Sequence, residues 1–237
     1  MEPWDTHNTD LMVDFLEVAI HAVLHARNVY PQDIFERRRK YGVPVWMSRH
    51  PHLNEYICKV LMRTSNLMAL GVVRKVVICL LEYGQKQEHS LVERFVFEVG
   101  VRSDQGHSVE GGKPSGRHGQ HFPSAQQEFE DQLRSALLQI EKSSAYLPTR
   151  QGSMFSLQIE VHEPDGDEET HQVTSDGAGA LREALSSGDW LLTENEAHTR
   201  RGEAARRVLI PIKSVQNGDV TLDLSVEMGQ SLRDCCP

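Results

Sequence analysis

The chain has 237 residues, 25 Lys and Arg against 34 Asp and Glu, a formal net charge of −9 and 39% hydrophobic residues. That length allows one large domain or two small ones and can bury a core without staples, while the acidic balance argues against broad electrostatic binding to nucleic acid. The four cysteines, Cys58, Cys79, Cys235 and Cys236, show neither disulfide nor zinc spacing, which fits a reducing compartment.

The opening MEPWDTHNTD is acidic and polar, unlike a signal peptide, and no apolar run reaches the ~18 residues a membrane span needs. A first helix is expected from Asp10 to Val29, with cap candidates in Asn8, Thr9 and Asp10 and a stop at Pro31. Its apolar residues (Leu11, Phe15, Val18, Ala22, Leu24) lie on several faces, the signature of a core helix. The basic run Arg37-Arg38-Arg39-Lys40 is read first as a solvated face and second as an anchor for an acidic or phosphate-bearing partner. A second helix is expected over His52–Leu70, with Pro51 at its start and Gly71 at its stop.

The β-branched run from Val72 to Leu81 predicts a buried strand, and Leu91 to Val99 predicts its hairpin partner across a loop of roughly ten residues. Residues 102–123, rich in Gly, Ser and His, predict a mobile loop. A third helix is expected from Ser124, where Gln127 completes a capping box, and Phe129, Leu133, Ala136, Leu137 and Ile140 form its apolar stripe. After Pro148 the pattern turns to strand and loop. Phe155, Leu157, Ile159 and Val161 alternate along one strand over Met154–Val161. An acidic turn follows at 163–169, then a short helix at Ala180–Leu185 and an apolar patch at Trp190-Leu191-Leu192. Val208–Ile212 and Val220–Val226 predict two closing strands.

Chemistry-bearing patterns are sparse. Glu17, His21 and His25 sit at i, i+4 and i+8 of the first helix, a spacing that puts two imidazoles and a carboxylate on one face as a metal-dependent enzyme would. They lack the Glu that follows the first His in HExxH, and a packed histidine pair is the plainer account. Gly106 to Lys113 (GHSVEGGK) approaches a phosphate loop, but Pro114 stands where the hydroxyl belongs. His107, His118 and His121 have no cysteine companion. No serine or cysteine occupies a nucleophile elbow. The residues point to no catalytic centre, cofactor or metal.

Several segments carry a family likeness: Phe15-Leu16-Glu17-Val18-Ala19, Val29-Tyr30-Pro31, Ile34-Phe35, Lys40-Tyr41, Val43-Pro44-Val45, Met47-Ser48, His50-Pro51, Leu53-Asn54, Tyr56-Ile57, Val92 to Glu98 (VERFVFE) and Leu209 to Lys213 (LIPIK). Together they resemble the HORMA-domain family, and within it the accessory subunits of translesion DNA polymerase zeta more than the spindle-checkpoint members. The likeness is dense over 11–100 and patchy over 124–228.

The resemblance implies an α+β fold, with three helices on a mainly antiparallel sheet and a C-terminal safety belt. It divides the chain into a flexible start (1–10), one HORMA domain (11–228) and a flexible tail (229–237). Within the domain it sets a core (11–147, with 102–123 as a disordered insertion) and a belt (148–228). It implies a non-catalytic adaptor whose belt closes over a proline-containing peptide added to the sheet edge. Tyr56 and Trp190 would be the aromatic walls, Leu192 would sit beside Trp190, and Tyr30 and Arg37 would line or flank the groove.

A second family surface, for an inserter or recruiting Y-family polymerase, maps to Leu209, Asp223 and Ser225. Leu209 matches the pattern; Asp223 and Ser225 depart from the larger hydrogen-bonding and aromatic residues found there. Arg134 matches a third-helix arginine used in HORMA self-association, which implies a homodimer. The implied partners are the catalytic subunit of DNA polymerase zeta, the recruiting polymerase and an AAA-type ATPase remodeller, without direct nucleic-acid or membrane contact. The implied location is the nucleus, with the cytoplasm as a second site. The rival role within the family is a spindle-checkpoint or meiotic-axis adaptor.

Overall fold

Helix α1 (Thr6–Ala26) carries apolar side chains on nearly all sides, and a helix of that composition is stable only when surrounded. The computed structural model, which describes residues 6–83, 89–101, 125–148, 153–161, 207–217 and 220–229, places it at the centre of the molecule. Phe15, Leu16, Val18, Ala19, Ile20, Val23 and Leu24 are all fully buried. Helices α2 (Pro51–Ala69) and α3 (Ala125–Ser143) pack on α1, as does β2 (Val43–Ser48), the second strand of a hairpin begun by β1 (Phe35–Lys40). On the sheet side Phe15 meets Phe97 edge-on, with ring centroids 6.4 Å apart.

The main sheet has the order β5-β3-β4-β7-β6, and all its pairings are antiparallel. Its strands are β3 (Val73–Tyr83), β4 (His89–Val101), β5 (Met154–Val161), β6 (Arg207–Asn217) and β7 (Val220–Gly229). Period-2 alternation sends Val76, Ile78 and Leu80, Phe95, Phe97 and Val99, and Leu222, Leu224 and Val226 into the helical core. The opposite face holds a smaller buried cluster of Val77, Cys79 and Val96. The closing hairpin β6–β7 is part of this sheet, with β7 paired to β4 from Glu93↔Met228 to Val101↔Val220. β4 and β7 approach so closely at Gly100 that a Cβ there would lie 2.6 Å from Thr221 Oγ1.

The helix ends explain most differences from the sequence expectations. Helix α1 starts at Thr6 rather than Asp10 and stops at Ala26, before Pro31 has any influence. Asn28 takes φ 51°, with Asn28 N–H bonding His25 O and Val29 N–H bonding Leu24 O, which is a Schellman closure with Asn in the left-handed position. Helix α2 ends the same way at Gly71 (φ 69°) and begins at Pro51, where His50 Nδ1 accepts from Leu53 N–H. β5 spans the residues its alternation predicts. β3 and β4 run longer than expected, to Tyr83 and from His89, so the ten-residue loop is an overestimate. The short helix at Ala180–Leu185 and the loop at 102–123 lie outside the described residues.

The β1–β2 hairpin was not predicted as a strand pair. It turns through Tyr41 and Gly42, both at positive φ (48° and 73°), in the two-residue geometry that suits right-twisted hairpins. The non-glycine Tyr41 is held there from two sides. Its hydroxyl donates to Asp14 Oδ2 at 3.1 Å, and its carbonyl accepts from Arg134 Nε at 2.7 Å.

One buried ion pair joins the parts. Arg27, just past α1, donates from Nε and Nη2 to the two carboxylate oxygens of Glu93 on β4, both at 2.8 Å, and Nη2 also donates to the Pro148 carbonyl at 2.5 Å. Both side chains are almost wholly enclosed. Removing one partner strands a charge, so Arg27→Met is expected to cost about 3–5 kcal/mol of unfolding free energy, read as a lower urea midpoint; a loss below ~1 kcal/mol would refute this role.

Candidate functional site

A sheet edge exposes unpaired backbone groups that another strand can use, and proteins usually blunt such edges. The two edges here differ. On β6, Pro211 lacks an N–H, and the register breaks between Pro211 and Lys213. The Gln132 side chain of α3 also occupies the outer backbone of Gln216: its Nε2 donates to Gln216 O at 3.1 Å, and its Oε1 accepts from Gln216 N–H at 2.9 Å. That amide mimics a neighbouring strand. β5 carries no proline and no glycine, runs in unbroken register from Leu81↔Met154 to Lys75↔Glu160, and has no strand on its outer side among the described residues.

Aromatic rings gather beside β5. Phe155 of β5 meets Tyr30 edge-on at 6.1 Å and Tyr56 edge-on at 5.7 Å. Tyr30 comes from the turn after α1, and Tyr56 from the second turn of α2, where it is 41% exposed. Burial, and then the proximity of Tyr56, raise the Tyr30 pKa, so this phenol stays neutral and can donate a hydrogen bond. The result is a partly exposed apolar wall with two hydroxyls, alongside a strand with backbone groups to offer. Trp190 and Leu192 lie outside the described residues.

The other expected site residues fall elsewhere. Arg37 is on β1, with its guanidinium 4.7 Å from the centre of the Trp46 ring, and His25 stacks on the same indole at 4.2 Å. Among the described contacts it joins Trp46 rather than Phe155. Leu209 is 60% exposed on β6 and stands in register with Glu227 of β7. By the alternation of β7, Asp223, Ser225 and Glu227 share a face, so the expected trio Leu209, Asp223 and Ser225 lies together on the side of the sheet away from the helices. Asp223 accepts from Ser214 Oγ. Arg134 bonds the Tyr41 carbonyl and pairs with Asp131 at 2.9 Å, fastening α3 to the β1–β2 turn.

Glu17, His21 and His25 are not gathered by the fold. His21 is buried, with Nδ1 accepting from Ser48 N–H at 3.4 Å, while His25 stacks on Trp46. Among the described residues no three His, Cys, Asp or Glu side chains converge as a metal site would require. No described helix is long and apolar enough to cross a membrane. Phe155 was legible only as one of four alternating strand residues; its position at an edge between two tyrosines depends on strand order.

The HORMA-domain sequence profile matches residues 9–160, and the chain belongs to that family. Over 90 residues it is 49% identical to the mitotic spindle assembly checkpoint protein MAD2B of Gallus gallus, covering 38% of this chain and 41% of the relative. Over 90 residues it is 42% identical to the DNA polymerase zeta processivity subunit of Schizosaccharomyces pombe, covering 38% of this chain and 40% of that one. The match thus spans about two fifths of each relative's length.

The fold resembles a chain of the mitotic checkpoint complex with a TM-score of 0.64 at 17% identity, covering 94% of this chain and 99% of the other. It also resembles Caenorhabditis elegans HTP-2, solved bound to the HIM-3 closure motif, with a TM-score of 0.59 at 10% identity, covering 94% and 91%.

The burial of His21 has a measurable consequence. Desolvation first, and the Arg38 charge second, lower its pKa from 6.5 to about 4. Below pH 6.5 the unfolded chain takes up a proton that the folded chain refuses, so stability is full above pH 6.5 and falls as the pH drops toward 4. The loss is about 3 kcal/mol. Denaturant titrations at pH 7.5 and 4.5 should show this drop in the native chain and a smaller one in His21→Leu; equal drops would refute it.

Proposed function

We propose that this protein is a non-catalytic adaptor that takes up an extended, proline-containing segment of a partner as an added strand on the β5 edge. The observation that carries the reading is the pairing of β5, which has no outer strand among the described residues, with the Tyr30–Phe155–Tyr56 wall. Backbone hydrogen bonds to β5 would supply affinity for any extended chain, and the rings would select apolar and proline side chains at alternate positions. Proline suits such a guest because its stiffness lowers the entropy lost on binding. The segment 148–228 would act as the closing belt, with Trp190 and Leu192 contributing from its length.

The relatives named as polymerase zeta subunits and MAD2B support the catalytic subunit of DNA polymerase zeta as the partner in a nuclear damage-bypass role. The exposed face bearing Leu209, Asp223 and Ser225 would meet a recruiting polymerase. A homodimer through the Arg134 face and opening by an AAA-type ATPase belong to the same proposal. The checkpoint names among the relatives favour a second reading, a spindle-checkpoint adaptor. Identification of proteins co-purified with the full chain from damaged and from mitotically arrested cells separates the two.

Desolvated aromatic anchors often account for ~2 kcal/mol or more each. Tyr56→Ala and Phe155→Ala are therefore each expected to weaken capture of a labelled two-proline peptide from the polymerase zeta catalytic subunit by about thirtyfold or more, in fluorescence anisotropy. Circular dichroism should remain native. Unchanged affinity in both variants would remove the edge as the binding site.

A further inference from the structure

A chain of ion pairs crosses the face of the sheet away from the helices. Arg94 on β4 donates to Glu160 of β5 at 2.8 Å and to Glu227 of β7 at 3.2 Å; Glu227 also pairs with Arg207 of β6 at 3.5 Å. The chain therefore runs from the open edge strand to the closing hairpin. It ends beside Leu209, which shares its face with Arg207 and stands in register with Glu227.

The central pair, Arg94 with Glu227, is not an ordinary surface pair. The Arg94 side chain is 15% exposed and that of Glu227 19%, so water screens their interaction weakly. Arg94 lies beside the buried Val77, Cys79 and Val96, and its Nε has no hydrogen-bond partner, so its two carboxylates are the main compensation for burying the charge. Burial lowers the Arg94 pKa, but the fields of Glu227, Cys79 and Glu160 outweigh that effect and hold the guanidinium more firmly charged than usual.

The two ends of the chain are more exposed than its centre: Glu160 is 40% and Arg207 36% exposed, and Glu160 lies on β5, which has no strand on its outer side among the described residues. A strand added there would remove water from around Glu160 and tighten the whole chain. Lys75, which stands opposite Glu160, is engaged with Glu98 at 3.4 Å.

We propose that Arg94 couples the two surfaces of this protein: occupancy of the β5 edge strengthens the hold on the β6–β7 hairpin and the Leu209 face, and engagement of that face steadies β5 in return. The consequence for partner retention rests on the strand-capture reading above; the coupling itself does not. Coupling between bound states is reciprocal by linkage, and that gives a test requiring no guest.

Amide hydrogen exchange on the full chain, followed by mass spectrometry, reads the two edges separately. Glu160→Gln, on β5, is expected to speed exchange in 207–217 about fivefold, and Glu227→Gln, on β7, to speed exchange in 154–161 by a similar factor. On an Arg94→Met background neither change should add anything further. Glu98→Gln, which breaks the neighbouring Lys75 pair, should leave 207–217 unchanged, and 0.5 M salt should shrink both effects.

Exchange at each edge that responds only to substitution on its own strand would overturn the proposal. So would an undiminished Glu160→Gln effect in the Arg94→Met background. Failure of peptide capture with the cross-sheet effects intact would count against the strand-capture reading alone.

Discussion

Much of the structure turns on a charge that has no way out. Arg27 emerges at the end of a helix with its side chain buried, and Glu93 and the Pro148 carbonyl are what make its burial tolerable. Three distant parts of the chain are fixed by that requirement: the end of α1, the middle of β4, and the point where the chain leaves α3 for β5. Pro148 precedes the edge strand by six residues, and β5 is placed in the sheet by its pairing with β3. Tyr30 sits three residues beyond Arg27, and Phe155, the second residue of β5 and in register with Leu80, lies between it and Tyr56.

Around α1 the layers have different duties. The sheet and α3 carry the burial that holds the domain together. The β1–β2 hairpin buries Phe35, Val45 and Met47 in the same core and is also tied down by polar bonds, through Tyr41 to Asp14, Arg134 to the Tyr41 carbonyl, and Ser48 to His21. Such bonds contribute modestly when made and cost more when one partner is lost. Arg134, expected to face a second copy of the chain, is already committed to this turn through Nε, so any use of it in self-association has to leave that bond in place.

How much was readable beforehand varied with the physical signal. α2 was legible almost to the residue because Pro51 and Gly71 mark its ends chemically, and β5 because Phe155, Leu157, Ile159 and Val161 alternate cleanly. α1 was misplaced at both ends: it starts ahead of the cap candidates Asn8, Thr9 and Asp10, and an Asn rather than the proline closes it. The hairpin was missed because FERRRK has no hydrophobic alternation: it is anchored in the core by Phe35, Val45 and Met47, and the Arg37–Trp46 stack joins residues on separate strands. The candidate site was half legible. Tyr30 and Tyr56 came from the family likeness, but that Phe155 joins them depends on which strand ends up at an edge, and periodicity does not encode strand order. The ion-pair chain through Arg94 was invisible for the same reason.

The side-chain amide of Gln132 on one border of the sheet has a consequence for stoichiometry. With Gln132 holding the backbone of Gln216 on that border, a guest strand taken up on β5 as proposed would have no equivalent place there. Two receptive borders would let each molecule extend its neighbour, and repeated head-to-tail addition leads to open-ended filaments. A glutamine far from the aromatic rings would thus, under the proposed strand capture, favour a discrete one-to-one complex over a polymer.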